Sequence, residues 1–260
     1  MTELGGSSAA VGPLTLAHRE VLRYVRRPRN TFLPPLITNV LYFSVFGIIL
    51  GGRIGEVAGF PYVLFVLPGL VVLGTTSNAF ENASFTIFHG RWNDYIHEVL
   101  TSPLSYTEQV AAYVVASALR GLFIGVLIAF VGALFTPVTV YHPLYLVAFM
   151  LAISTLFAGF GVVAGLWARD FDYLTVLNQF IIRPLVFFGG VFYSLSALPG
   201  VWRTVSYANP MIYMVNGVRF AFLDYYEVDP NLSLAVLWGA AAVVLLANVA
   251  LFSRGYGLTE

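Results

Sequence analysis

At 260 residues, with 58% hydrophobic and only 10% charged side chains, the chain lacks the charge that a folded surface needs in water, where soluble domains carry about 25%. A mean hydropathy of +0.81 places most of its surface against lipid or against other apolar helices. Formal net charge is zero, cysteine is absent and every one of the 13 basic residues is arginine. That excludes disulfides, thiolate metal sites, cysteine nucleophiles, a Schiff-base lysine and the lysine-bearing phosphate loop of a nucleotide site.

In chain order, residues 1–13 are small, polar and glycine-rich. No apolar core with a small-residue cleavage site precedes the first long apolar stretch, so no cleavable signal peptide is expected. Within 14–29, Leu16, Val21, Leu22 and Val25 recur at helical spacing opposite a basic face. This predicts an amphipathic helix on the inner membrane surface; a basic juxtamembrane tether is the alternative. Six stretches then meet the requirement of roughly 20 apolar residues per span: 31–52, 60–82, 107–135, 143–167, 173–193 and 231–253. Thr136-Pro137 and His142-Pro143 divide the third from the fourth.

Two connections carry information. The stretch 90–105 is polar, and Asn93 or Asp94 is expected to cap a short helix through Leu100 that Pro103 stops. A helix so placed can enter a groove on a soluble partner. Residues 194–222 are too polar to span and too apolar for a free loop. They predict two short helices, broken near Asn209-Pro210, that dip into the outer leaflet under cover of other protein. Arginine placement orients the whole: with both termini inside, eight arginines are cytoplasmic and three, Arg53, Arg203 and Arg219, are external. The expectation is an all-α integral membrane protein of six transmembrane helices, multi-pass, with both termini cytoplasmic.

Charges inside spans are functional candidates because lipid makes them costly. Glu81 is placed near the inner end of span two, within reach of the interface. Arg120 either reaches that interface too or pairs with Glu81 or Glu108. Arg183, about 14 Å into span five at helical rise, is a candidate pathway or intersubunit residue, or else half of a structural ion pair. Phe187, Phe188 and Tyr193 could line a path for sugars or amphiphiles by stacking; the alternative is a lipid-facing role. The pairs Gly47/Gly51, Gly121/Gly125 and Gly161/Gly165 have the spacing of close helix packing. Asn82-Ala-Ser84 matches a glycosylation acceptor but lies on the inner side, where it carries no weight. Histidines are scattered, no His/carboxylate cluster has metal spacing, and neither a metal site nor a nucleic-acid partner is expected.

The stretches FFGGVFYSLSALPGVW and ANPMIYMVNGVRF resemble the signature of the ATP-binding cassette (ABC) type-2 exporter permeases. Matching positions are Gly189, Gly190, Phe192, Leu198, Pro199, Asn209, Pro210 and Arg219. Glu98-Val-Leu-Thr-Ser-Pro103-Leu104-Ser105 is similar to that family's coupling helix, and Leu67-Pro68-Gly69 to a frequent feature of its second span. Arg183 departs from the family, which usually has an uncharged residue there. The resemblance implies a small prokaryotic exporter subunit in the plasma membrane, a homodimer joined mainly through spans two and five. It further implies two copies of a separate ATPase subunit that binds ATP and Mg, while this chain binds no cofactor and is no enzyme. Coupling to the ATPase then falls to 90–105, with Arg91, Asp94, Glu98, Leu100, Pro103 and Leu104 as contact residues. The cargo would be a drug, lipid or glycan-type substrate.

Two rivals are weaker. A secondary transporter not driven by ATP would show inverted repeats and helices broken at mid-membrane, and no convincing repeat is present. An intramembrane enzyme would need a catalytic constellation within the spans, whereas Asp170, Asp172, Asp224 and Asp229 all fall in connections.

Overall fold

The computed structural model describes residues 8–258. Helix α1 (Ser8–Val25) starts before the expected 14–29 segment and ends there because Pro28, at the first turn of the next helix, has no N–H to continue it. Helix α2 (Pro28–Ile54) carries Pro34 and Pro35 in its interior and winds as a π-helix over Phe43–Leu50. Two-residue strands β1 (Glu56–Val57) and β2 (Phe60–Pro61) pair antiparallel around Ala58 and Gly59, both with positive φ, as a tight hairpin turn requires. There follow α3 (Tyr62–Trp92), α4 (Ile96–Leu100), α5 (Tyr106–Ala133), α6 (Pro143–Trp167) and α7 (Phe171–Val191). Two short helices, α8 (Gly200–Ser206) and α9 (Pro210–Leu223), precede α10 (Pro230–Ser253).

Six of these helices, α2, α3, α5, α6, α7 and α10, are long and apolar enough to cross a membrane. The protein is thus all-α and multi-pass. An even number of spans puts both described ends of the chain at one face, here called the terminal face, with α4. The hairpin, residues 134–142 and the segment 192–229 lie at the far face.

The bundle is organised around α3, of which 83% is buried in its most apolar window, against 11% for α2 and 17% for α10. Glycine makes this possible. A Cβ at Gly121 of α5 would lie 2.8 Å from the Thr75 carbonyl oxygen of α3, and at Gly161 and Gly165 of α6 2.5 and 2.6 Å from the carbonyls of Phe80 and Ser84. Two helices therefore press bare backbone onto α3. The paired glycines of α5 and α6 serve packing within the chain. In Leu67-Pro68-Gly69, Gly69 receives the backbone of Val191, since its Cβ would stand 2.8 Å from that residue's Cα.

Two expectations need correcting. Helix α3 does not end at residue 82 but runs to Trp92, because no helix breaker intervenes and Ile87 and Phe88 are buried along the way. Residues 90–92 therefore belong to this span, and the separate short helix covers only Ile96–Leu100. Nor does Asn93 or Asp94 cap it: Tyr95 occupies the cap position without a side-chain bond, Asn93 donates back to the His89 carbonyl, and Asp94 takes positive φ at the turn. The chain itself covers α3 apart from one narrow strip.

Candidate functional site

That strip lines a cavity of about 350 Å³ bounded by α2, α3, α5 and α7. Ser77, Asn78 and Glu81 form its floor on α3, Asn30, Thr38 and Asn39 its wall on α2, while Arg120 of α5 and Arg183 of α7 close it. It opens sideways between α2 and α7, where Pro34, Thr38 and Arg183 are exposed. Proline shapes the α2 wall: Pro34 and Pro35 have no N–H to offer the carbonyls of Asn30 and Thr31, and Asn39 turns its Nδ2 onto the Pro35 carbonyl at 2.8 Å. On α7, Pro184 likewise removes a helical donor, and the chain widens into π-turns over Leu177–Ile182 and Phe187–Val191 around it.

Glu81, its side chain 30% exposed, lies eleven residues before the end of α3 at Trp92, about 16 Å at 1.5 Å per residue. Its Oε1 accepts a hydrogen bond from Asn178 Nδ2 and faces Arg183 Nη2 at 3.7 Å. Arg120 does not turn to Glu108, which is engaged in a capping box with Ser105. Its Nη1 donates instead to Asn82 Oδ1 at 3.2 Å, and its Nε has no partner. Arg23 of α1 reaches the same Asn82 oxygen at 3.3 Å and also donates to Thr86, while Asn82 Nδ2 donates to Ser117 at 2.9 Å. Asn82, 2% exposed, is thus a junction of α1, α3 and α5, inaccessible to any glycosylation machinery. On α1, burial pushes the Tyr24 phenol above its ordinary range, offset in part by the nearby Arg120 guanidinium.

The α1 surface differs from the expected split into apolar and basic faces. Leu16, Glu20 and Tyr24, one helical turn apart, are its buried stripe, and Glu20 holds Arg19 and Arg23 at 3.0 and 3.1 Å. Val25 is exposed.

At the terminal face, α4 buries Ile96 and Val99 and exposes His97 and Glu98. Gln109, fully buried, bolts it to α5 by donating to the carbonyls of Val99 and Leu104, both at 3.1 Å. Of the six residues expected to meet a partner, Asp94, Glu98 and Pro103 are exposed, and Leu100 and Leu104 are half-buried, Leu104 against Gly12 of α1. Arg91 does something else: its guanidinium donates to the carbonyls of Gly165, Leu166 and Ala168 at 2.9, 2.7 and 3.0 Å. It closes the C-terminus of α6, where unpaired carbonyls and the helix dipole both favour a cation.

At the far face the signature residues meet in one knot. Gly189 lets Met211 approach so closely that a Cβ would stand 2.7 Å from its side chain, and Gly190 has positive φ. The Gly190 carbonyl accepts from Arg219 Nη2 at 2.7 Å, and the Arg219 guanidinium stacks 3.9 Å over the Phe65 ring. Asn209 caps α9 through the Met211 N–H and donates Nδ2 to the Leu185 carbonyl at 2.8 Å, with Pro210 in the first turn. Leu198 packs on Leu195 and Ile212, and Pro199 precedes α8. Phe187 stacks on Phe192, Tyr193 donates to the Phe188 carbonyl and Phe188 is exposed; all three lie beyond the cavity.

The ABC-2 type transporter family matches residues 14–223, a stretch that includes the cavity, α4 and the whole knot. The chain belongs to this family. It is 34% identical to the inner membrane transport permease YadH of Escherichia coli over 92% of this chain and 94% of that one. Nodulation protein J of Rhizobium meliloti is 24% identical over 91% and 90% of the two chains, and that of Bradyrhizobium diazoefficiens 27% over 84% and 82%.

As an ABC-2 transport permease, the chain sets Glu81, Arg120 and Arg183 around one cavity and leaves Phe187, Phe188 and Tyr193 apart from it. Asn82, Asn178, Gln109 and Arg23 were missed. The Ser105-x-x-Glu108 capping-box spacing was a signal that could have fixed the start of α5 and hence the anchoring of α4. Nothing local marked Asn82 or Asn178, since asparagine within an apolar run declares no partner.

Proposed function

We propose that this ABC-2 permease is the membrane subunit of an ATP-driven exporter in the prokaryotic plasma membrane, a homodimer served by two copies of a separate ATPase that holds ATP and Mg. The observation that carries the reading is α4: a short helix at the terminal face, rigidly bolted by Gln109 through its apolar side, with His97, Glu98 and Pro103 left free for a partner. On this reading the terminal face is cytoplasmic, in agreement with the arginine count. Motion of the ATPase acts on α4, passes to α5 through Gln109, and so reaches Arg120 and the cavity. Leu104 ties α1 into the same contact. Substrates of the drug, lipid or glycan type suit a sideways opening.

Co-expression of the tagged chain with candidate ABC ATPases of the same genome tests this. A complex that hydrolyses ATP, and loses association or activity with Glu98→Ala or Pro103→Ala while the permease still folds, is the expected result. If no ATPase associates and vesicles transport without ATP, a secondary transporter takes its place.

A further inference from the structure

We propose that His142 and Asp224 form a proton-operated clamp at the far face, which ties α9 to α6 while the imidazole is charged and slackens when it is neutral. The clamp itself rests on geometry alone; that it reads the pH outside the cell rests on the orientation proposed above.

The pair joins the start of one helix to the end of another. His142 immediately precedes α6, and Asp224 ends α9 in a left-handed turn (φ 54°). His142 Nε2 lies 2.8 Å from Asp224 Oδ1, its ring stacks at 4.3 Å on Phe220, and its backbone N–H donates to the Ala221 carbonyl at 3.0 Å. These contacts make α9 a bar between two spans. Its start is fixed to α7 by Asn209 on the Leu185 carbonyl, and its middle by Arg219 on the Gly190 carbonyl. An amide carries no proton switch, and a guanidinium keeps its charge across the physiological range. Only the end held by His142 rests on a group that gains or loses charge there.

Charge sets the direction. A charged imidazole makes an ion pair with the carboxylate, whereas a neutral one makes an ordinary hydrogen bond of about half the strength. The carbonyls at the end of α9 also favour a cation, while the start of α6 opposes one; the carboxylate at 2.8 Å decides the sign. Neighbouring polar groups are engaged elsewhere. Tyr145 of α6 donates to Asn231 at 2.7 Å, Glu227 accepts from Ser194 and from the Leu195 and Ser196 N–H groups, and Asp229 caps α10 through Leu232. With side chains 36% and 59% exposed, His142 and Asp224 exchange protons freely with the far-face solvent. An imidazole stabilised in its charged form adds most below about pH 6 and loses that contribution as pH rises through about 7. The pair fades again near about pH 4, where carboxylates take up protons.

The test is amide hydrogen exchange of the purified permease in dodecylmaltoside at about pH 5.5 and about pH 8, on either side of the imidazole range, with exchange times scaled for the intrinsic effect of pH. Peptides covering the start of α6 and the end of α9 should exchange about threefold more slowly in acid, the effect of a half-exposed ion pair. Peptides covering the start of α9 should not change. Asp224→Asn and His142→Gln should each abolish the difference, and the double variant should behave like either single one. Both variants should melt with wild type at about pH 8, where the ion pair is absent in all three. Equal protection at the two pH values in wild type, a comparison that needs no variant, would overturn the clamp. So would a difference that survives Asp224→Asn, or one spread evenly over the bundle. Because no ATPase is present, these failures leave the permease reading standing, and failure of ATPase association leaves the clamp standing.

Discussion

Replacing Gly161 by alanine should destabilise the bundle, although alanine is the better helix former. The new methyl would stand 2.5 Å from the Phe80 carbonyl oxygen and 2.7 Å from the Ala83 Cβ. Ordinary contact begins at 3.4 Å, so α6 must back away from α3 by the better part of an ångström. The obstacle is backbone, which cannot swing aside as a side-chain tip can. Gly165, one turn on, meets the Ser84 carbonyl in the same way, so the strain spreads along the seam. Overpacking of this kind costs about 1–3 kcal/mol, and the helix-propensity gain of alanine over glycine returns about 1 kcal/mol. A net loss of up to about 2 kcal/mol lowers the melting temperature by up to roughly 4–8 °C. Gly239 of α10 is the control, because a Cβ there meets nothing within 4 Å; Gly239→Ala should hold or raise stability by up to about 1 kcal/mol. Thermal melting of the detergent-solubilised protein compares the two. If Gly161→Ala melts with Gly239→Ala, at or above wild type, α3 is not gripped through bare backbone and the packing argument fails.

Three further outcomes are expected. Arg91→Ala leaves three carbonyls at the end of α6 without their donor and should cost about 2 kcal/mol, seen as a lower melting temperature; an unchanged one would mean that water replaces the guanidinium. Asn82→Leu takes from Arg120 its side-chain acceptor and should cost about 3 kcal/mol or more, whereas Asn82→Asp gives Arg23 and Arg120 a carboxylate and should melt at or above wild type. Ser105→Ala removes the cap of α5 and should cost about 1 kcal/mol, with protease sensitivity rising first at residues 93–105.

Much of the architecture was legible because lipid imposes a simple rule: a backbone without water must be helical and about 20 apolar residues long. The fourth span, 143–167, begins at Pro143 and stops at Trp167 in sequence and structure alike. The end of α3 was not legible from Glu81, because a charge marks a boundary only where it faces lipid, and Glu81 faces Asn178 and Arg183. Within the signature, the resemblance pointed to the right residues, but their shared purpose, tying α9 to the end of α7, needed coordinates.

The sequence by itself determined that this chain lies in a membrane, crosses it six times, holds no lysine-based nucleotide site and belongs with the type-2 permeases. The first three follow from composition and from short-range spacing, which each segment carries alone; the fourth rests on motifs that resemble the family's signature. Tertiary structure decided which charges meet. Arg23, Asn82, Arg120, Asn178 and Arg183 come from four different helices, and their pairing depends on how closely glycine lets α5 and α6 approach α3. That distance is a property of the packed bundle, and no single segment encodes it.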